Sequence, residues 1–283
     1  RNPPVSAARL LERAAIMILD SIPIWGVLAL SIVLIIVLIE IGYRFGNAAH
    51  KRVSAEMESP VSAMAGAVLG LTAFVLAFTF GIVHDRYDSK KALVREEANV
   101  IWTVYQRSDF LPDAEALAAK AMIRRYTDMR IALPFAAQRD HGYGMALVEK
   151  SMLEARTIQA KLWQGAVLNA RRDMNSDIGA MYIDALNEMT ALQHLRLAIG
   201  VHARVHIAIW ITLSSLIIIG MLALGYQAGI SGSYRSRASA ILAGSFGIML
   251  SLIIALDRPG LIMVTQQPLV DIRAMMGPDP ILP

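Results

Sequence analysis

Two interleaved stripes in one hydrophobic segment carry the densest pattern in the chain. Between Val61 and Val83, the residues Gly66, Gly70, Ala73, Ala77 and Gly81 recur at steps of four, three, four and four. That spacing puts them on one face of a helix. One residue further round lie Ala67, Leu71, Val75, Phe78 and Ile82. Small residues let helix backbones approach closely where water supplies no hydrophobic drive. An apolar constriction can gate ions by dewetting. One stripe is therefore suited to pack on a neighbouring helix while the other lines a central path. The plainer reading is that both pack against other helices or lipid.

Charge returns directly after this segment. Arg86, Lys90, Lys91 and Arg95 would form a positive vestibule if copies gathered around an axis. The bland alternative is a solvated helix face, or side chains that snorkel to headgroups. Glu40 is the one acid well inside a hydrophobic segment, near enough to its end to reach the interface. His202 and His206 are four residues apart, which on a helix would let them share a metal. A usable site needs a third ligand, and none follows at a helical interval. The expectation is no metal and no cofactor. Covalent chemistry is not signalled either. No cysteine occurs, and there is no Gly-rich phosphate loop, nucleophile elbow or HExxH. The chain does not read as an enzyme. The 15 methionines are dispersed and read as filler in core and lipid-facing positions.

The elements that hold these residues are hydrophobic helices. The chain has 283 residues, is 55% hydrophobic and has a mean hydropathy of +0.48, more apolar than soluble domains of this size. A helix needs about 20 apolar residues to cross a bilayer. Four stretches qualify, at about 22–43, 61–83, 205–226 and 238–256. Trp25 and Tyr43 flank the first, and Trp210 and Tyr226 the third, as interfacial aromatics do. Neither Gly nor Pro occurs from Ile82 to Leu111 beyond the Gly81–Ile82 step. The second span is thus expected to continue as one long helix past the membrane.

A helix is expected from Pro112 to about Leu133, then a loop from Pro134 to Gly144. Next comes a helix carrying Met145, Val148, Met152, Ala155, Ile158 and Leu162 at steps of three and four. A last one runs from about Asp177 straight into the third span. No strand-like alternation stands out. The expected fold is all-α: a polytopic membrane protein of four transmembrane helices with a cytoplasmic helical bundle inserted between the second and third. The expected division is 1–83, 84–204, 205–257 and a C-terminal tail, 258–283. That tail is too broken by proline to span, and its apolar residues could lie against the bundle or the interface.

Four spans put both termini and the inserted domain on one side. Eleven Lys and Arg near the spans lie there, including Arg9, Arg13, Arg86, Arg204 and Arg258, against Arg44, Lys51, Arg52, Arg235 and Arg237 opposite. The positive-inside rule then favours a cytoplasmic insert. The net charge of +4 is scattered, unlike the footprint of a nucleic-acid binder. The first residue is Arg1 rather than Met, which leaves room for residues upstream.

The segment from Gly70 to Asn99, GLTAFVLAFTFGIVHDRYDSKKALVREEAN, resembles the signature region of bacterial bestrophin-like domain proteins. LDRPGLIMVTQQPLVDI, from Leu256 to Ile272, is similar to that family's second signature. The resemblance implies a distant relation to bestrophins, which are pentameric anion channels with four spans per subunit. Their second span lines the pore through an apolar neck. In bacterial bestrophins a Phe is followed seven and eight residues later by Asp-Arg, then by aromatics. Phe78, Asp85, Arg86 and Tyr87 fit that spacing, and Asp88 replaces the second aromatic. No acidic cluster matches the calcium clasp of animal bestrophins.

The resemblance thus implies an oligomeric ion channel of the bacterial inner membrane, anion-conducting and pentameric. Leu71, Val75 and Phe78 would form the constriction. Lipid and inorganic ions would be its partners. The rival expectation is a non-conducting membrane scaffold whose helical bundle binds a protein partner.

Overall fold

The computed structural model describes residues 22–50, 58–139, 145–199, 205–232, 237–258 and 264–278, and every regular element among them is helical. They form α1 (Ile24–His50), α2 (Glu58–Arg107), α3 (Asp113–Arg139), α4 (Met145–Ala170), α5 (Asp177–Leu197), α6 (Ile207–Ile230), α7 (Arg237–Asp257) and α8 (Gln267–Met275). Four of these, α1, α2, α6 and α7, are long and apolar enough to cross a membrane. The chain divides into two compact units, with the boundary falling inside α2 at Arg86–Tyr87.

The first unit holds α1, the first part of α2, α6 and α7. Its core includes Ile35, Ile39, Leu76, Val83, Leu213, Ile217, Met221, Ala243 and Ile253. The tightest packing joins α1 to α6, through glycines on both. A Cβ at Gly42 or Gly46 would overlap the carbonyl oxygens of Leu222 or Tyr226. A Cβ at Gly225 or Gly229 would overlap those of Ile39 or Tyr43. Each helix thus carries glycines four apart, and each glycine admits the other helix's backbone. This is how helices associate where burial from water offers no drive. The opposed residues ascend together along both helices, so α1 and α6 run parallel. At the start of α6, His206 has extended backbone (φ −61°, ψ 137°), and its Nδ1 accepts from the Ala208 N–H at 3.2 Å.

The second unit holds the rest of α2, then α3, α4, α5 and α8. Val94, Ile101, Val104, Ile123, Tyr126, Leu162, Ala166, Tyr182, Ala185 and Met189 build its core. Ser176 caps α5, accepting from the Gly179 N–H at 3.1 Å, which satisfies one of the donors a helix start leaves free. The short α8 belongs to this unit. Leu269, Ile272 and Met276 are buried in its core. The Met276 carbonyl accepts from the Tyr105 hydroxyl at 2.9 Å and from Arg124 Nε and Nη2 at 3.1 and 2.9 Å. A cation at a helix C-terminus also complements the helix dipole.

Two expectations need correction. Helix α3 does not stop before Pro134 but runs through it to Arg139. A proline inside a helix removes one donor and crowds the preceding turn, and here the remaining bonds carry the helix past it. Residues 140–144 of the expected loop lie outside the described residues. Nor does α5 continue into the third span. It ends at Leu197, and α6 starts afresh at Ile207 behind the His206 cap. Of the two placements open for the tail, its described residues take the first: Leu269, Ile272 and Met276 pack in the core of the second unit, from and just after α8.

Candidate functional site

Helix α2 has two different faces within the first unit. Ala65, Thr72, Leu76, Thr79 and Val83 are buried, at steps of seven, four, three and four. Its hydroxyls are satisfied there. Thr72 donates to the Val68 carbonyl at 2.7 Å and to the Leu216 carbonyl of α6 at 3.2 Å, and Thr79 donates to the Val75 carbonyl at 2.7 Å. The opposite face is apolar and uncovered. It presents Met64, Ala67, Gly70, Ala73 and Ala77, with Leu71 53%, Phe74 69% and Phe78 64% exposed. A Cβ added at Gly66, Gly70 or Gly81 would meet nothing within 4 Å.

Both sequence stripes therefore share one broad face, with two differences in detail. Val75 is half-buried against the core of its own unit, and Ile82 is also half-buried. Phe74, which belongs to neither stripe, stands between them and is the most exposed of the three large residues. Its signal was available: Leu71, Phe74 and Phe78 follow one another at steps of three and four.

The other spans expose a different kind of surface. On α1 the middle of the helix presents Leu30, Val33, Leu34, Ile36, Val37 and Ile41, bulky aliphatics that suit acyl chains, with Trp25 and Phe45 exposed nearer its ends. The uncovered face of α2 instead mixes glycine and alanine with phenylalanine. Its glycines Gly66, Gly70 and Gly81 remain open, as does Gly244 of α7, whereas Gly42, Gly46, Gly225 and Gly229 of the α1–α6 seam are filled by backbone.

The basic residues after the span are not equivalent. Arg86, in the first unit, is half-buried, and its Nη1 makes no hydrogen bond. In the second unit, Lys91 lies 3.8 Å from Asp88 and 5.7 Å from the centre of the Tyr87 ring. Lys90 is half-buried, while Arg95 is exposed. Glu40 pairs with Arg44 one turn away at 2.9 Å. The histidine pair does not form a helical site. His206 is a cap residue outside the helix, its Nδ1 engaged by the backbone, and His202 lies outside the described residues. Among the described residues no group of acids and histidines could hold a metal.

The second unit contains a charge cluster that sequence reading did not isolate. Glu97 of α2 is 1% exposed. Arg130 Nε of α3 donates to it at 2.7 Å, and Arg196 of α5 pairs with its other oxygen. Arg196 also reaches Gln266, just before α8, at 3.2 Å. Burial pulls the Arg196 guanidinium down to about 10, so it stays cationic at neutral pH. The cluster thus ties four segments of one unit through a single carboxylate. Its signal was the helical phase: Glu97 sits among Val94, Ala98, Ile101 and Val104, the buried stripe of α2.

Comparison with known proteins agrees with this architecture. A family model described as the Bestrophin-like domain matches residues 30–269. A solved structure described as that of a membrane protein aligns with a TM-score of 0.62 at 15% identity, covering 90% of this chain and 99% of that one. At that identity the likeness concerns the fold. No curated protein matches the chain. With four apolar helices of spanning length and a family match over most of its length, the chain is a multi-pass, all-helical membrane protein of the bestrophin-like family.

Proposed function

We propose that copies of this chain assemble into an ion channel, anion-conducting, with α2 of each copy around the axis. The observation that carries the reading is the uncovered face of α2, whose open glycines and alanines lie beside exposed Leu71, Phe74 and Phe78. Lipid gains nothing from small residues, whereas they let a second helix approach closely.

The angular arrangement supports a ring. At about 100° per residue, the small-residue stripe and the Leu71–Phe78 line stand about 110° apart, with Phe74 between them. In a closed cyclic assembly each subunit meets two neighbours, and for five copies they are seen about 108° apart. Leu71 and Phe78 of one copy would then enter the small-residue stripe of the next. Phe74 would project toward the axis. The throat consists of Phe74 flanked by Leu71 and Phe78, narrow and apolar enough to dewet. Exposed Arg95 would contribute positive charge to a vestibule favouring anions. The helical insert lies on the cytoplasmic side in this reading, and the chain performs no covalent chemistry.

Truncating the ring tests this. In planar bilayers, Phe74→Ala should raise single-channel anion conductance by about twofold or more by widening and wetting the throat. Absence of current from both wild type and variant, across voltage, pH and calcium, contradicts conduction.

A further inference from the structure

His206 stands just before α6 and holds the start of that helix with its ring. Its Nδ1 accepts from the Ala208 N–H at 3.2 Å, and its own carbonyl accepts from the Ile209 N–H at 2.9 Å. The usual caps are asparagine, aspartate, serine and threonine, whose oxygens accept throughout the neutral range. Histidine differs, because its charge changes in that range. Only a ring nitrogen without a proton can accept. His206 is exposed, so a proton from water can reach it.

Protonation reverses this cap. Nδ1 becomes a donor and faces the Ala208 N–H, donor against donor. The imidazolium also sets a positive charge at the positive end of the helix dipole. The first N–H groups of a helix have no partner within it, so Ala208 loses the one it had. The backbone before the cap is held in place: Val205 is buried, and its N–H donates to Asp257 Oδ1 of α7 at 3.0 Å. Either the ring turns away or the first turn of α6 opens.

The charged neighbours do not reverse this direction. α2 runs antiparallel to α6, since Thr72 bonds to Leu216 while Val68 lies beside Gly220. Val83 and Val205 share one core at the other end of that contact, which sets His84, Asp85 and Arg86 level with His206. From α7 come Asp257 and Arg258, and α1 carries no ionisable residue before Glu40 among its described residues. Two aspartates and two arginines bring no net charge, so the geometry of the cap decides.

We propose that His206 is a proton-sensitive cap: neutral, it holds the first turn of α6, and protonated, it releases it. The open start binds the proton more readily, so the cap's contribution is present at higher pH and is lost as pH falls. The device does not depend on conduction.

Hydrogen exchange of the full-length protein in lipid nanodiscs, followed by mass spectrometry, reads the device directly. It is compared at about pH 8 and about pH 5, either side of the range in which histidine titrates, after correction for the intrinsic pH dependence of exchange. Wild-type peptides holding Ala208 and Ile209 should exchange about fivefold faster at the lower pH, the size of a lost cap. His206→Asn keeps an acceptor that does not titrate, and should exchange alike at both. His206→Ala has no cap and should exchange fast at both. Equal wild-type exchange at the two pH values overturns the proposal. So does an acid-induced rise in His206→Asn as large as in the wild type, which would move the titration to another group such as His84 or Asp257.

Discussion

Gly225→Ala prevents α1 and α6 from closing and destabilises the protomer by about 3 kcal/mol or more. The added carbon overlaps the Ile39 carbonyl oxygen and stands 2.8 Å from the Tyr43 nitrogen. Both are backbone atoms of α1, so no rotamer change relieves the clash, and the helices must separate. Separation also undoes the neighbouring contacts at Gly42, Gly46 and Gly229, because all four glycines lie in one seam. The matched control is Gly244→Ala on α7, where the added carbon meets nothing within 4 Å. Exchanging Gly for Ala inside a helix favours the helix by about 1 kcal/mol, so this variant should equal or slightly exceed wild type within the protomer. Thermal unfolding in detergent reads both, with an expected loss of about 6–12 °C for Gly225→Ala only. Equal melting temperatures would remove the seam from the account.

Glu97→Gln should destabilise the second unit by about 3–5 kcal/mol, the usual cost of breaking a buried ion pair by removing one partner. The amide keeps the shape but leaves Arg130 and Arg196 facing each other without a carboxylate. Two buried cations then repel across the meeting point of α2, α3 and α5. Adding Arg196→Met to Glu97→Gln should recover part of the loss, because the effects of groups in one network are not additive. Denaturant unfolding of the full chain, with limited proteolysis to locate the opening, measures both variants. A double variant as unstable as the sum of the singles would mean that the cluster does not act as a unit.

Legibility in the sequence followed how local each determinant is. The spans were readable because apolar composition and length alone decide whether a helix can cross a bilayer. The length of α2 was readable because no Gly or Pro interrupts it from Ile82 to its end. The α1–α6 seam was not, although Gly42, Gly46, Gly225 and Gly229 are plain in the sequence. Glycines four apart show that some backbone can approach, but which helix supplies it is a tertiary matter. The stripe on α2 has the same sequence character and is left open, while those on α1 and α6 are filled.

Glu97 was hidden for a related reason. In the run Arg95-Glu96-Glu97 it looks like one more solvated charge, and only its place on the buried stripe separates it from Glu96. The break before α6 was missed because a histidine, not a proline, makes the cap. Phe74 was passed over because each stripe was followed as a separate line, whereas exposure shows one face whose middle it occupies.

The position of Phe74 decides the central claim, and the cysteine-free chain offers a clean test. Single-cysteine variants Phe74→Cys, Leu34→Cys and Leu76→Cys can be reconstituted in liposomes and treated with a water-soluble, negatively charged thiosulfonate while anion flux is followed. If α2 lines the pore, the smaller and more polar side chain of Phe74→Cys wets the throat, so it reacts and its flux falls. Leu34→Cys on the bulky face of α1 and buried Leu76→Cys should stay unmodified. If instead Phe74→Cys resists the aqueous reagent as Leu34→Cys does, and reacts only with a membrane-soluble maleimide, then α2 faces lipid and no pore runs along it.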